Sequence, residues 1–294
     1  MRVRDHHLAI VAVLAVGCVL ISGCKPLHQT TPTGSGQVRY RDSIFTSVDT
    51  TTDVTYGKAA RISGSLQTLK LDVYQPTGDT VTKRPAIVWV HGGGFKNGDK
   101  DSPEIVDQAK VFAKMGYVNV SIDYRLSSGC APFTQECIQG IEMAYHDAQA
   151  AVRFLRANAA TYKVDPDRIA VGGSSAGGIT AYNVAYGSEN VGHSGNPGPS
   201  SKVQAAVSLS GASLTTAPAK GDPPTMDFHG DADGVVPLTW NDSTVADATK
   251  AKLIAERTVW AGDGHVPYTK HRQQILDETR NFLYAAMDLG HAAH

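Results

Sequence analysis

Three short segments concentrate residues able to do acyl chemistry. Gly173-Ser174-Ser175-Ala176-Gly177 sets a serine between glycines in the pattern G-x-S-x-G. A strand-like run, Ile169-Ala170-Val171, precedes it, and a helix-like run, Ala176 to Tyr186, follows. A serine at so tight a strand-to-helix turn takes a strained backbone conformation, and side chains on its neighbours would clash. The amides that open the helix then face any negative charge developing at the serine. Ser174 is the rival nucleophile, but its own register, Gly172 to Ala176, lacks the second glycine. Ser175 is therefore the candidate nucleophile.

A serine hydroxyl attacks poorly until a base takes its proton. In strand–turn–helix sites the partners follow in the order serine, acid, histidine. Downstream of Ser175 comes His229-Gly230-Asp231-Ala232-Asp233, directly after the strand-like Thr225 to Phe228. Then comes Gly262-Asp263-Gly264-His265, after the strand-like Arg257 to Trp260. Asp233 is the candidate acid, with Asp231 as the alternative or as a brace of the turn. His265 is the candidate base. His271, His291 and His294 lie in the last helix or the tail and read as surface residues. The third segment is His91-Gly92-Gly93-Gly94-Phe95, after the apolar run Ala86 to Val90. Amides at Gly93 and Gly94, with that of Ala176, suit an oxyanion hole, where one donor contributes roughly 3–4 kcal/mol. A phosphate cradle would need G-x-G-x-x-G or a following Lys-Ser/Thr, and neither is present. His91 and His229 read as loop-holding residues.

These loops need strands to carry them. Strand-like segments run over Val38–Val54, Leu69–Tyr74, Ala86–Val90, Tyr117–Ile122, Ile169–Val171, Ala205–Leu209, Thr225–Phe228 and Arg257–Trp260. Helical spacing marks Glu104–Met115, Tyr145–Ala160, Ala176–Tyr186, Ser243–Ile254 and Tyr268–Met287. Alternation of this kind predicts an α/β fold with a mostly parallel central sheet flanked by helices. Function then gathers at the carboxyl ends of the strands. Loops 126–140, 187–201 and 211–224 are expected to line the cleft, with Phe95, Tyr124 and Trp240 as wall candidates. The stretch Gly211 to Pro224 is too short for a sizeable cap.

The 27 basic and 28 acidic residues nearly cancel, which argues against a nucleic-acid partner. With 41% hydrophobic residues, the chain is also no disordered polymer. Leu8 to Ile21 is an unbroken apolar run after Arg2 and Arg4, long enough for an export signal and too short to span a bilayer. It ends in Leu20-Ile21-Ser22-Gly23-Cys24, which resembles the lipobox of bacterial lipoproteins. That resemblance implies cleavage after Gly23 and lipidation of Cys24. The alternative is an ordinary export signal with a chance cysteine. On the first reading, residues 1–23 are a signal, 24–36 a flexible tether rich in Thr, Pro, Gly and Ser, and 37–294 one catalytic domain. The protein is then an exported bacterial lipoprotein, held at a membrane by lipid alone. Outside the cytosol thiols tend to pair, so Cys130 and Cys137, seven apart, are expected to form a disulfide. A free thiol pair is the alternative; a metal site lacks a CxxC or a nearby His.

Taken together, the motifs resemble an α/β-hydrolase, close to bacterial carboxylesterases related to hormone-sensitive lipase and to the acetylxylan and feruloyl esterase type. The matching stretches are His91-Gly-Gly-Gly-Phe95, Asp123-Tyr-Arg-Leu126, Asp165-Pro-Asp-Arg-Ile169, Gly172-Gly-Ser-Ser-Ala-Gly-Gly178, Asp233-x-x-Val-Pro237 and Gly264-His265. The resemblance implies a serine carboxylic-ester hydrolase working through an acyl-enzyme, with no metal and no cofactor. Its expected partner is a small-molecule or polymer-borne ester. Short-chain or aryl esters in an open site are expected, because no cap is visible. Two rivals remain: a serine peptidase of the prolyl oligopeptidase type, and a surface-anchored binding protein with an inactive hydrolase fold.

Overall fold

The apolar run that carries the serine becomes the centre of the sheet. The computed structural model describes residues 25–130, 133–189 and 192–292. The strands are β1 (Val48–Ala60), β2 (Leu66–Pro76), β3 (Arg84–Val90), β4 (Val118–Ile122), β5 (Val164–Ser174), β6 (Ala205–Leu209), β7 (Thr225–Gly230) and β8 (Ala255–Trp260). The helices are α1 (Pro103–Lys114), α2 (Gln135–Ala157), α3 (Ala159–Tyr162), α4 (Ala176–Tyr186), α5 (Leu238–Lys250) and α6 (Tyr268–Ala286). The sheet order is β1-β2-β4-β3-β5-β6-β7-β8. β1 and β2 form an antiparallel hairpin, and β2 meets β4 antiparallel. From β4 through β8 every pairing is parallel. This is the expected α/β fold.

All seven residues of β3 and all five each of β4 and β6 are buried. Helices on both faces explain why β3 reads as a continuous apolar run, whereas β4 buries Asn119 and Ser121, which accept from Trp89 Nε1 and donate to Lys100 O respectively. One face packs Val88, Val90, Val120 and Val171 under α2 and α4. The other packs Ile87, Trp89, Val207 and Phe228 against α1 and α6. The parallel strands all end toward one edge, where the loops after β3, β5, β7 and β8 meet.

Several sequence expectations change. Residues 38–47 form turns instead of a strand: Tyr40 takes φ +65° and its ring is buried against Tyr117. The first strand begins at Val48 and runs on to Ala60, pairing with β2 through two register shifts, at Thr51/Val54 and Thr55/Gly57. α2 begins at Gln135, ten residues before the expected start, with Thr134 Oγ1 accepting from the Cys137 amide as N-cap. Gly140 masks the helical pattern, but Ile141 and Ala144 are fully buried and extend the apolar face. α5 likewise starts five residues early, at Leu238.

The flexible tether expected for 24–36 is also corrected over its described residues. Leu27–Gln29 form one 3₁₀ turn lying on α6. Glu256 of β8 accepts from the Leu27 amide (2.7 Å), the His28 amide (2.9 Å) and His28 Nδ1 (2.6 Å). Asn281 Nδ2 donates to His28 O, and the Arg41 guanidinium donates to the carbonyls of Pro32, Gly34 and Gly36. A polar, Gly- and Pro-rich composition described the segment, but the carboxylate that grips it comes from a strand more than two hundred residues away. The signal segment 1–23 and Cys24 lie outside the described residues. Among those residues, no helix is long and apolar enough to cross a membrane.

Candidate active site

β5 ends at Ser174, and Ser175 stands alone in the turn before α4 with φ +55° and ψ −118°. That backbone is strained for a residue with a side chain. Its amide is held by the carbonyl of Leu209 on β6 (2.8 Å). The flanking glycines are needed for close approach. A Cβ at Gly177 would run into the carbonyl of Val90, and one at Gly173 would meet the Val90 and Gly177 backbone. The elbow thus packs directly on the end of β3. The rival, Ser174, is 1% exposed and donates to Glu104 Oε1 (2.9 Å).

The Ser175 hydroxyl donates to His265 Nε2 (2.7 Å), and His265 Nδ1 donates to Asp233 Oδ2 (2.7 Å). The three expected residues, drawn from loops after β5, β8 and β7, therefore form one hydrogen-bonded chain. The other oxygen of Asp233 accepts from the amides of Val235 (2.8 Å) and Val236 (2.9 Å). Burial alone would raise the Asp233 carboxyl, but the bonds from His265, Val235 and Val236 outweigh it and hold the group below its ordinary value. Asp231 instead accepts from the Gly262 amide and braces the two loops. Arranged this way, Asp233 fixes the tautomer in which His265 Nε2 is free to take the serine proton.

Gly93, Gly94 and Ala176 line the same cleft as Ser175. Gly93 (φ +103°) and Gly94 (φ +62°) hold conformations that suit glycine, and a Cβ at Gly93 would strike the carbonyl of Asn97. Where a side chain sat at Gly92, its Cβ would stand 3.3 Å from Ser175 Cβ, so this loop passes the nucleophile at contact distance. His91 supports the loop from behind: its ring stacks on Tyr124 (4.2 Å) and Nδ1 faces Gly92 O (2.7 Å). Burial lowers its basicity.

The cleft encloses about 520 Å³. Its walls include Leu214, Phe133, Val235 and Trp240, of which the last three are exposed at 55%, 62% and 41%. Phe95 and Trp240 reach the cleft as expected, but Tyr124 is buried and spends its hydroxyl on the His91 and Gly92 carbonyls. The described residues of loop 187–201 do not line it. That loop turns the other way, where Ser194 Oγ donates to Asp147 and Asn196 Nδ2 donates to Tyr56 O. Cys130 and Cys137 form the expected disulfide, which ties the cleft wall at Cys130 to the first turn of α2. Among the described residues, no cluster of His, Cys, Asp and Glu could hold a metal ion.

Sequence reasoning missed the supports. His271, taken as a surface residue, stacks on Trp260 (4.0 Å, 1°) and, with Lys270, grips Asp263 two residues before His265. These bonds hold the Asp263 carboxyl below its ordinary value. Val266 takes φ +47° and donates its amide to Ser210 Oγ (3.0 Å), fixing the His265 loop from the β6 side. Arg125 forms a buried pair with Asp147 through its Nε and Nη2 and also donates to Ala60 O. Only the positive charge of Arg125 and the odd acid on an apolar helix face hinted at that pair in the sequence.

The geometry agrees with comparisons to known proteins. The family profile BD-FAE matches residues 71–218, half of the chain. Para-nitrobenzyl esterase of Bacillus subtilis is 34% identical over 119 residues, covering 38% of this chain and 23% of that protein. Carboxylesterase NlhH of Mycobacterium tuberculosis is 38% identical over 108 residues, covering 37% and 31%. This chain spans about a fifth to a third of the length of the curated relatives it matches. The apo form of Thermogutta terrifontis esterase 2 has the same fold, with a TM-score of 0.66 at 25% identity over 82% of this chain and 96% of that one.

Proposed function

This chain belongs to the BD-FAE family, and from that membership and the site geometry we propose that it is a serine carboxylic-ester hydrolase acting on short-chain or aryl esters. The observation that carries the reading is the continuous chain Ser175–His265–Asp233, whose serine lines one cleft with the glycine loop. Ser175 attacks the ester carbonyl while His265 takes its proton. The charge on the tetrahedral oxygen falls to the amides of Gly93, Gly94 and Ala176. His265 then returns the proton to the leaving alcohol, and a water activated the same way releases the acid. No step calls on a metal or cofactor.

Residues 211–224, where a cap would insert, hold no helix or strand. The exposed Phe133, Val235 and Trp240 give the mouth flat apolar surfaces suited to an aryl group or to an ester borne on a polymer. Thermogutta terrifontis esterase 2, at 24% identity, has been seen with butyrate and with propionate, which supports a short acyl group here. The test is a fluorophosphonate probe followed by a panel of p-nitrophenyl acyl esters and aryl esters. Labelling of wild type but not of Ser175→Ala, with activity falling beyond C6, is expected. No labelling of either protein would favour the inactive binding protein, and a maximum at C8 or longer would overturn the short-acyl reading.

We also propose that the protein lies outside the cytoplasm with Cys24 lipidated; what supports this is the lipobox-like Leu20-Ile21-Ser22-Gly23-Cys24. Metabolic labelling with a palmitate analogue should mark the wild type and spare Cys24→Ser; equal labelling of both would refute it.

A further inference from the structure

His229 sits at the end of β7 and is fully buried. Its Nδ1 lies 2.8 Å from Asp227 Oδ2 and its Nε2 lies 2.8 Å from the carbonyl of Val236. A carbonyl oxygen has no proton to give, so Nε2 must carry one. Asp227 is fully buried as well, and a buried carboxylate needs a donor. The ring therefore meets an acceptor at each nitrogen. Nε2 also stands 3.4 Å from Asp233 Oδ2, the same oxygen that receives His265 Nδ1–H.

The geometry points to His229 as a buried imidazolium, paired with Asp227, that positions Asp233 and keeps it ionised behind the serine–histidine pair. The inference rests on the ester-hydrolase reading for its kinetic consequences only. The mechanical part follows from the Val236 peptide. Its carbonyl is fixed by His229, and its amide donates to Asp233 Oδ1, so the ring and the carboxylate hold the two sides of one residue. The electrostatic part follows from distance. A positive ring this close to Asp233 offsets part of the negative charge that faces His265. Asp227 and Asp233 are the charged groups that face the ring directly, and both favour its protonated form. His265 lies beyond Asp233, and Tyr182 of α4 feels the charge of Asp227 from the far side. Burial pushes the ring toward neutrality, but the hydrogen bonds to Asp227 and Val236 and the two carboxylates outweigh it and raise its basicity. Nothing in the sequence pointed to this, since Asp227 stands between Met226 and Phe228 in a strand buried along its whole length.

His229 is a positioning residue on this argument, and the test must separate charge from packing. The kcat/KM for p-nitrophenyl acetate is measured against pH for wild type, His229→Gln and Asp227→Asn. Both variants should lose about tenfold or more near neutral pH, and the acid limb of the profile should move upward by roughly half a unit. An equal loss at every pH, or no loss, overturns the proposal. Should the variants fail to fold, ¹⁵N-histidine NMR on the wild-type full chain still decides. Both ring nitrogens of His229 should give imidazolium shifts through pH 7.5, and a neutral tautomer there overturns the proposal. The NMR needs no turnover, so absence of esterase activity in the wild type would sink the functional reading while leaving the ion pair to be judged by itself.

Discussion

Asp233→Asn tests the site most sharply, because the hydrogen bonds dictate how the new amide must sit. Asp233 Oδ1 accepts from two backbone amides, Val235 and Val236. An NH₂ group placed there would face two donors, so the asparagine oxygen must take that position. The NH₂ is then turned toward His265 Nδ1 and becomes a donor where the carboxylate was an acceptor. His265 must accept at Nδ1 and carry its proton on Nε2, the nitrogen 2.7 Å from Ser175 Oγ. The ring is then in the wrong tautomer to take the serine proton. An equivalent change in a Ser–His–Asp enzyme lowers kcat by about 10⁴, which corresponds to about 5.4 kcal/mol of lost transition-state stabilisation at 1.36 kcal/mol per decade. The geometry here gives the same tautomer argument, so the same order of loss is expected. The assay is kcat/KM on p-nitrophenyl acetate at pH 7.5, with circular dichroism to show that the fold persists. Asp231→Asn is the control: that side chain accepts one amide at the exposed surface and should change the rate less than about threefold. A loss below tenfold for Asp233→Asn, or equal losses for the two variants, would refute the reasoning.

Other outcomes follow from the supports. Gly177→Ala should abolish soluble expression or cost several kcal/mol in urea unfolding, because its Cβ would run into the backbone of Val90 and His91, which cannot rotate away. Asp147→Asn should cost about 3–5 kcal/mol by the same measurement, since it strands the buried Arg125 guanidinium. Cys137→Ser should lower stability by roughly 2 kcal/mol, as expected for so short a closed loop, while raising KM for aryl esters, because Cys130 and Phe133 form the cleft wall. Glu256 is held below its ordinary value by the donors of His28 and Leu27, against the cost of its burial. Its contribution is therefore full above the ordinary carboxyl value and is lost as pH falls through the depressed one. Protection of the Leu27 and His28 amides against hydrogen exchange, taken relative to the intrinsic rate at each pH, should fall in acid, and Glu256→Gln should give that loss of protection at neutral pH; unchanged protection in the variant would show that the segment is held by something else.

The sequence by itself settled the fold class and the main line of the site. Local chemistry suffices for much of this: G-x-S-x-G suits a tight strand-to-helix turn, strands covered on both faces are mostly apolar, and the order serine, acid, histidine is the pattern that goes with such an elbow. Element starts were less legible where a glycine or an N-cap interrupted the period, as at Gly140 in α2 and over 38–47 before β1. What only the tertiary structure decided is how the reacting groups are held. Ser210 under Val266 and Glu256 gripping Leu27 and His28 join distant segments, His271 on Trp260 and Asp263 joins α6 to the end of β8, and His229 meets Asp227 on its own strand and Asp233 in the turn that follows, contacts set by burial and by the shape of that turn. A histidine on a helix face looks the same in sequence whether it meets water or a carboxylate. The difference is made by burial, because a desolvated polar group must find its partner wherever the chain happens to bring one.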